Sequence, residues 1–378
     1  MSGPSYPAAR VVAARAQAHF ARNLSTARER GYNPLAAEPD REAIEAIIDA
    51  AFWASLRREE GYVPRISLAY LPPDQTAEPL TFADPLPLVP AALTRLAPAV
   101  ERPGIHLGVW RLKGDGLAVW GATRTIPTMC FVLEVVAPGL LVVKHRRSTV
   151  AAKYVNVAVL EGDQIKVLNP ADGADPDCPP MVSSLLGFDS PSNDAVNVLI
   201  ELAVSMRAHR RGGALLVIPA NTASWLDSIV QPISYSVTPP YLALGQLMHQ
   251  HPERRTEPEW QEALRRAVEA VGGLTAVDGA TVLSDRYDVL AFGAKIVRRK
   301  GSPVVDQVVL TEPIEGNAPT TVPPAEFGGT RHLSAAQFVR DQPDAVAYVA
   351  SQDGRFTIFA WSPCDHQVHG RRVEALLL

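Results

Sequence analysis

The chain has 378 residues and a formal net charge of −4, with 47% of its residues hydrophobic and 20% charged. These proportions are typical of folded globular proteins, so they exclude a small disulfide-stapled fold, a coiled coil and a wholly disordered chain. The slight acidic excess gives no strong nucleic-acid signal, because dedicated nucleic-acid binders usually carry an overall basic charge.

The cysteines and the apolar runs bear on where the protein works. The three cysteines cannot pair completely and form no CxxC motif, which argues against a disulfide framework or a zinc site. The longest apolar run, residues 130–143, is interrupted by Glu134 and Pro138-Gly139, so it falls short of the ~18 residues that a membrane span needs. The sequence therefore predicts a cytoplasmic protein with no membrane segment.

The N-terminal part is predicted to begin with two helices. Residues 8–21 contain no Gly or Pro, and Asp40 is a suitable N-cap for a helix over residues 41–58. The first 28 residues contain no acidic side chain, which is also typical of organellar transit peptides, but an ordinary first helix is favoured. Eight prolines between residues 71 and 103 then predict an ordered wrapping segment without a long regular element.

Six short β-rich runs follow between residues 105 and 168, and turn residues separate them. Gly114-Asp115-Gly116 and Glu161-Gly162-Asp163 are the two clearest hairpin turns. This pattern predicts a small antiparallel meander. The turn-rich stretch 169–180 marks a domain boundary, so we expect an N-terminal α+β domain over residues 1–185 and a second domain over residues 186–378.

The second domain mixes helices and strands. Helices are predicted from Ser192-Asn193 to Arg207 and over residues 240–249, 258–271 and about 334–339. Strands are predicted over residues 214–218, 276–283, 289–296, 345–350 and 356–361. The fold class is therefore mixed α+β throughout, with a mixed sheet flanked by helices in the second domain.

Asp278-Gly279-Ala280, inside the predicted strand 276–283, is the first candidate for chemistry. An acid followed by two small residues leaves one face of a strand bare, so a flat ligand can approach while the carboxylate holds a divalent cation. The alternative is a hairpin edge with a solvated aspartate.

Gly329-Thr330-Arg331-His332, just before the last predicted helix, is the second candidate. Free backbone N–H groups and the helix dipole favour phosphate at such a position, and arginine adds bidentate contacts to phosphate oxygens. The alternative is that Arg331 and His332 only cap and pack this loop.

In their order and surroundings the two motifs resemble the diadenylate cyclase domain, the nucleotide-cyclising unit of bacterial cyclic di-AMP synthases. The resemblance spans about residues 193–361. It also includes the Gly-rich strand at residues 212–218 and the run 349–354 before the last predicted strand.

The resemblance implies a role for each motif residue. Asp278 would bind a catalytic Mg²⁺ or Mn²⁺ and help to activate a ribose 3′-hydroxyl, with Arg331 and His332 as further catalytic residues. The implied nucleotide-binding residues are Gly279, Ala280, Gly329, Thr330, Arg331 and Ser351. Two protomers would hold two ATP molecules face to face and condense them into cyclic di-AMP with release of pyrophosphate, so a homo-oligomer is expected.

Departures from the family pattern leave two functions open. Leu333 stands where the family has a second arginine, and Arg298, Arg299 or Lys300 are candidates to replace that charge. The chain is then either a divergent diadenylate cyclase or a non-catalytic sensor of ATP or a cyclic dinucleotide, like relatives associated with prokaryotic defence. In both cases the N-terminal domain is expected to regulate or oligomerise the second domain, or to contact a protein partner.

Overall fold

The structure is a computed structural model, and it describes residues 5–111, 116–146, 154–169 and 197–378. The chain divides into two compact units, residues 1–169 with Leu378 and residues 170–377. The domain boundary predicted at residues 185 and 186 lies outside the described residues. The same is true of the predicted helix start at Ser192-Asn193 and of the turn residues Gly114-Asp115.

The described part of the first unit contains three α-helices: α1 (Pro7–Glu29), α2 (Arg41–Ser55) and α3 (Pro90–Val100). The prediction of two N-terminal helices is confirmed. Asp40 caps α2 as predicted, because its carboxylate accepts a hydrogen bond of 2.7 Å from the backbone N–H of Ala43.

The first unit has an eight-stranded mixed sheet in the order β2-β4-β3-β1-β5-β6-β7-β8. Its strands are β1 (Ile66–Tyr70), β2 (Leu80–Pro87), β3 (His106–Arg111), β4 (Leu117–Thr123), β5 (Phe131–Ala137), β6 (Leu140–Arg146), β7 (Tyr154–Glu161) and β8 (Gln164–Val167). The six predicted runs are strands β3 to β8. The sheet is larger than the predicted meander, and one of its neighbouring pairs, β1 and β3, is parallel.

The proline-rich segment contains regular structure, so the prediction that it lacks a long element is wrong. It forms β2 and α3. Strand β2 lies at the edge of the sheet, where a proline on the unpaired side loses no ladder hydrogen bond. Pro90 occupies the first turn of α3, where a backbone N–H has no intrahelical partner.

Within the described residues, the second unit has four α-helices: α4 (Val198–Ala208), α5 (Ala243–Met248), α6 (Pro258–Leu274) and α7 (Thr330–Asp341). Asn197 caps α4 through its side-chain oxygen, which accepts a hydrogen bond of 3.0 Å from the backbone N–H of Leu199. The helix predicted over residues 240–249 begins later, because Pro240 and Tyr241 end a strand instead.

The second unit has a nine-stranded mixed sheet in the order β10-β12-β11-β9-β15-β16-β17-β13-β14. Its strands are β9 (Gly213–Ile218), β10 (Tyr235–Tyr241), β11 (Ala280–Ser284), β12 (Val289–Ala294), β13 (Val308–Thr311), β14 (Thr320–Val322), β15 (Val346–Ala350), β16 (Phe356–Ser362) and β17 (Gln367–Arg372). Four of them, β10, β13, β14 and β17, were not predicted from the sequence.

Helices cover both faces of this sheet. One buried cluster joins α4 and α6 to alternate residues of β15, such as Tyr348. A second cluster joins α7 to the intervening residues, such as Ala347 and Val349. The mixed α+β class predicted from the sequence is confirmed in both units.

Two further observations concern the cysteines and the membrane. Cys364 is disulfide-bonded, which the argument against a disulfide framework did not anticipate, whereas Cys130 is a buried free thiol. Among the helices that the structure describes, none combines the length and apolarity needed to cross a bilayer.

Candidate functional site

A cleft of about 720 Å³ opens in the second unit, at one edge of its sheet. The parallel strands β9 and β11 begin at this edge, and their antiparallel neighbours β15 and β12 end there. The cleft is lined by every residue for which the motifs predict a role: Asp278, Gly279, Ala280, Gly329, Thr330, Arg331, His332 and Ser351. Segments far apart in the chain therefore meet at one place, as the sequence hypothesis requires.

The first motif lies at the start of a strand and not inside it. Strand β11 begins at Ala280, after Asp278 and Gly279. Gly279 has a φ of +117°, and a Cβ there would stand 2.4 Å from the backbone carbonyl carbon of Gly293. Only glycine fits this close approach, which bends the chain before the strand and leaves the Asp278 side chain outside the sheet.

Asp278 is paired with Lys295, which directly follows β12. The Lys295 ammonium donates a hydrogen bond to Oδ2 of Asp278, and this bond is the main reason that the pKa of the carboxyl lies below its ordinary value. Both side chains remain accessible, at 84% exposed for Asp278 and 52% for Lys295. The carboxylate is thus charged at neutral pH and open to solvent.

The second motif forms the first turn of α7. Gly329 is the N-cap residue and provides no side-chain capping hydrogen bond, and the first turn of the helix contains no acidic residue. Arg331 extends over the loop before β9, since its Nη1 lies 3.0 Å from where a Cβ of Gly212 would stand. The helix N-terminus and this guanidinium together form an anion-binding arrangement.

His332 is the most buried polar side chain of the cleft, with 2% of its surface exposed. Burial lowers the pKa of its imidazole to about 4, so the ring is neutral at pH 7. Within the described part of the chain, its Nε2 atom has no hydrogen-bond partner. Native proteins rarely bury a polar atom without a partner, so this nitrogen marks a position where a ligand or water would bind.

Ser351 lies in the turn between β15 and β16. Its hydroxyl donates a hydrogen bond to Oδ1 of Asp353, and this bond is the main cause of the lowered pKa of the Asp353 carboxyl. The Arg355 guanidinium lies 3.4 Å from Oδ2 of the same carboxylate. Asp353 therefore holds both a hydroxyl and a cation at the rim of the cleft.

The cations of the cleft are not those proposed from the sequence to replace the arginine missing at Leu333. None of Arg298, Arg299 and Lys300 is among the lining residues, and Arg299 pairs instead with Asp227 at 3.5 Å. The lining cations are Lys295, Arg331 and Arg355.

Sequence reasoning missed Lys295 and Arg355 because neither lies in a recognisable motif. Lys295 follows β12 and is brought to Asp278 by the pairing of β12 with β11, whereas Arg355 lies two residues after Asp353 in the turn before β16. The one available signal was that Lys295 lies at the end of a predicted strand, 17 residues after Asp278 of the predicted acidic motif.

The side chains that could bind a metal ion in the cleft bear on the Mg²⁺ or Mn²⁺ that the resemblance implies. No group of three His, Cys, Asp or Glu side chains that could hold a metal occurs among the described residues. Mg²⁺ is commonly bound by one or two carboxylates together with substrate phosphates, and the exposed Asp278 carboxylate fits that arrangement. A divalent cation here would therefore have to arrive with a nucleotide.

Comparisons with known proteins add information on the first unit. A family model described as "Probable sensor domain DACNV" matches residues 33–124. This range includes α2, α3 and strands β1 to β4, and it falls in the part of the chain predicted to be regulatory. No curated protein matches the chain.

The solved structures that match the chain include two with low identity and low TM-score. One is a hypothetical membrane spanning protein from Bacillus cereus, with 15% identity and a TM-score of 0.26, covering 46% of this chain and 62% of that one. The chain thus spans less than two thirds of that protein. The other is a double mutant of DacA from Staphylococcus aureus, with 16% identity, a TM-score of 0.23, and coverage of 46% and 83% respectively.

Proposed function

We propose that the second unit binds ATP in the cleft and condenses two ATP molecules into cyclic di-AMP, releasing pyrophosphate. The observation that carries this proposal is the meeting of three distant segments, around Asp278, Arg331 and Ser351, at one cationic cleft. A diadenylate cyclase needs a carboxylate near the ribose and cations near the phosphates. The cleft offers both.

The phosphates would bind at the N-terminus of α7. Uncapped N–H groups, the Thr330 hydroxyl and the Arg331 guanidinium all donate hydrogen bonds, and charge-assisted bonds from arginine are the strongest of these. The bare backbone at Gly279 and Ala280 leaves room for a flat nucleoside. Arg355, held by Asp353, adds a further positive charge at the rim.

Asp278 would hold Mg²⁺ or Mn²⁺ together with the triphosphate. When bound, such a cation stabilises charge on the α-phosphate and favours deprotonation of the attacking hydroxyl. Each cleft supplies one carboxylate for the metal, that of Asp278, and one set of phosphate ligands. Reaction between two nucleotides therefore requires two protomers facing each other, and we propose a homo-oligomer.

Incubation with ATP and Mn²⁺, followed by mass spectrometry at increasing protein concentration, tests the proposal. We expect cyclic di-AMP to form at a rate that rises more than linearly with protein concentration. Asp278→Asn should abolish product while ATP still binds. Arg331→Ala should weaken ATP binding by at least about tenfold, because a charge-assisted hydrogen bond is lost; an unchanged affinity would contradict nucleotide binding in this cleft.

A non-catalytic sensor is the second candidate function. It is favoured by Leu333 in place of a family arginine and by the match of residues 33–124 to a probable sensor domain. The same incubation separates the two functions. Saturable binding of ATP or cyclic di-AMP without product would support a sensor that signals to a partner, with the first unit as its regulatory part. Under either function, a protein with ATP as its ligand would act in the cytoplasm.

A further inference from the structure

Lys295 is a cation that neither sequence motif contains, yet it lies beside the carboxylate on which the proposed chemistry depends. Its Nζ donates to Oδ2 of Asp278, and both residues line the cleft. Its backbone is fixed independently, because the carbonyl of Lys295 accepts a hydrogen bond of 2.8 Å from the N–H of Val230. The side chain can therefore be changed without removing a contact of the sheet.

The ion pair is exchangeable. Both side chains are more than half exposed, and ion pairs of this kind contribute little to stability. A divalent cation that reaches Asp278 would meet the Lys295 ammonium at the same oxygen, and two cations at that distance repel each other. Lysine and metal therefore compete for one carboxylate.

The pair also affects nucleotides that carry no metal. An unpaired carboxylate at Asp278 would repel a triphosphate bound nearby, because both carry negative charge. The other carboxylate among the lining residues, Asp353, already has a cationic partner in Arg355. Lys295 neutralises Asp278 and so removes this repulsion. It takes over part of the electrostatic role that a metal ion would otherwise have.

We propose that Lys295 is a built-in counter-ion of Asp278 that competes with divalent metal and allows the cleft to accept metal-free nucleoside triphosphate. This inference rests on the proposed binding of ATP in the cleft. It makes Lys295 a specificity-determining residue, since it sets the balance between metal-bound and metal-free nucleotide.

Calorimetric titration of the full chain with ATP, first in EDTA and then at increasing Mn²⁺, tests the proposal. In Lys295→Met we expect metal-free ATP to bind about five- to tenfold more weakly than in the wild type. We also expect Mn²⁺ to enhance ATP binding at a several-fold lower Mn²⁺ concentration, measured at half of the maximal enhancement. The variant should therefore bind metal-free ATP more weakly but respond to Mn²⁺ more readily. A general loss of folding or of positive charge would not produce this combination.

Lys300→Met is the matched control, because Lys300 is an exposed lysine of the same loop that does not line the cleft. It should change neither quantity. In the double variant Asp278→Asn with Lys295→Met, metal-free binding should recover relative to Lys295→Met alone, because the unpaired carboxylate is gone.

The outcomes separate this inference from the proposed function. Wild-type protein that binds ATP neither in EDTA nor with Mn²⁺ would overturn the proposed function. Wild-type protein that binds ATP with Mn²⁺, while Lys295→Met matches it in both arms, would overturn only the role of Lys295.

Discussion

Two buried histidines, one in each unit, have the same charge state but differ in their hydrogen bonds. His106 in the first unit is bonded at both ring nitrogens, to Ser67 at 2.7 Å and to Tyr154 at 2.9 Å. His332 in the second unit has no partner for Nε2 within the described residues. Burial lowers the pKa of each to about 4.

The difference teaches that a lowered pKa does not by itself mark a functional group. Both imidazoles are neutral at pH 7 because both are removed from water. Hydrogen bonding distinguishes them: His106 joins a polar network between strands, whereas His332 lines a cleft and its Nε2 has no partner among the residues that the structure describes. We therefore expect His106 to matter for stability and His332 for ligand binding.

The largest expected effect is on the pH dependence of stability. Between pH 6.5 and about pH 4 the unfolded chain protonates these histidines while the folded chain does not, so stability must fall as the pH is lowered through this window. A shift of this size corresponds to about 3 kcal/mol for His106 at the acid end. Denaturant unfolding at pH 7 and pH 5, for wild type and His106→Gln, measures it; an equal pH dependence in both proteins would contradict the assignment.

The second effect concerns the backbone of the cleft. Gly279→Ala should destabilise the second unit by at least about 2 kcal/mol, because the new Cβ would overlap the backbone of Gly293 at a positive φ. Gly273→Ala is the matched control: Gly273 lies in α6 with nothing within 4 Å, so alanine should stabilise by about 0.5–1 kcal/mol. Thermal unfolding of both variants gives the comparison.

Glutamine at each histidine tests the comparison directly. His106→Gln should cost about 1–3 kcal/mol at pH 7, because Ser67 and Tyr154 lose a well-placed partner. His332→Gln should cost less, since Nε2 has no hydrogen bond to lose within the described residues, yet it should weaken ATP binding measured by calorimetry. If His332→Gln proves the more destabilising and leaves ATP affinity unchanged, the distinction between the two histidines fails.

The smallest effect is expected at Leu333. Its side chain is 42% exposed, and it is not among the lining residues. Leu333→Arg should therefore change stability by less than about 0.5 kcal/mol, as ordinary surface substitutions do, and ATP affinity by less than about twofold. A tenfold gain in affinity would instead show that the family arginine position reaches the cleft.

Local signals predicted much of the fold. Helix α2 follows from its cap at Asp40 and its apolar spacing, and strands β3 to β8 follow from short apolar runs between turns. The prediction for the proline-rich segment was wrong because the free-energy cost of a proline in a strand depends on whether that strand lies at the edge of its sheet. The order of the strands decides this. Strands β13 and β17 were missed for a related reason: they pair in parallel with each other across a long connection.

The sequence by itself determined which residues could carry chemistry: the acid and small residues at Asp278, and the hydroxyl, guanidinium and imidazole from Thr330 to His332. These are local properties of a few neighbouring residues, so spacing and residue type suffice to find them. Only the tertiary structure decided their surroundings. The pairing of β12 with β11 brings Lys295 to Asp278, and burial leaves His332 neutral with an Nε2 atom that has no partner in the described part of the chain, because contact and desolvation depend on distant segments meeting.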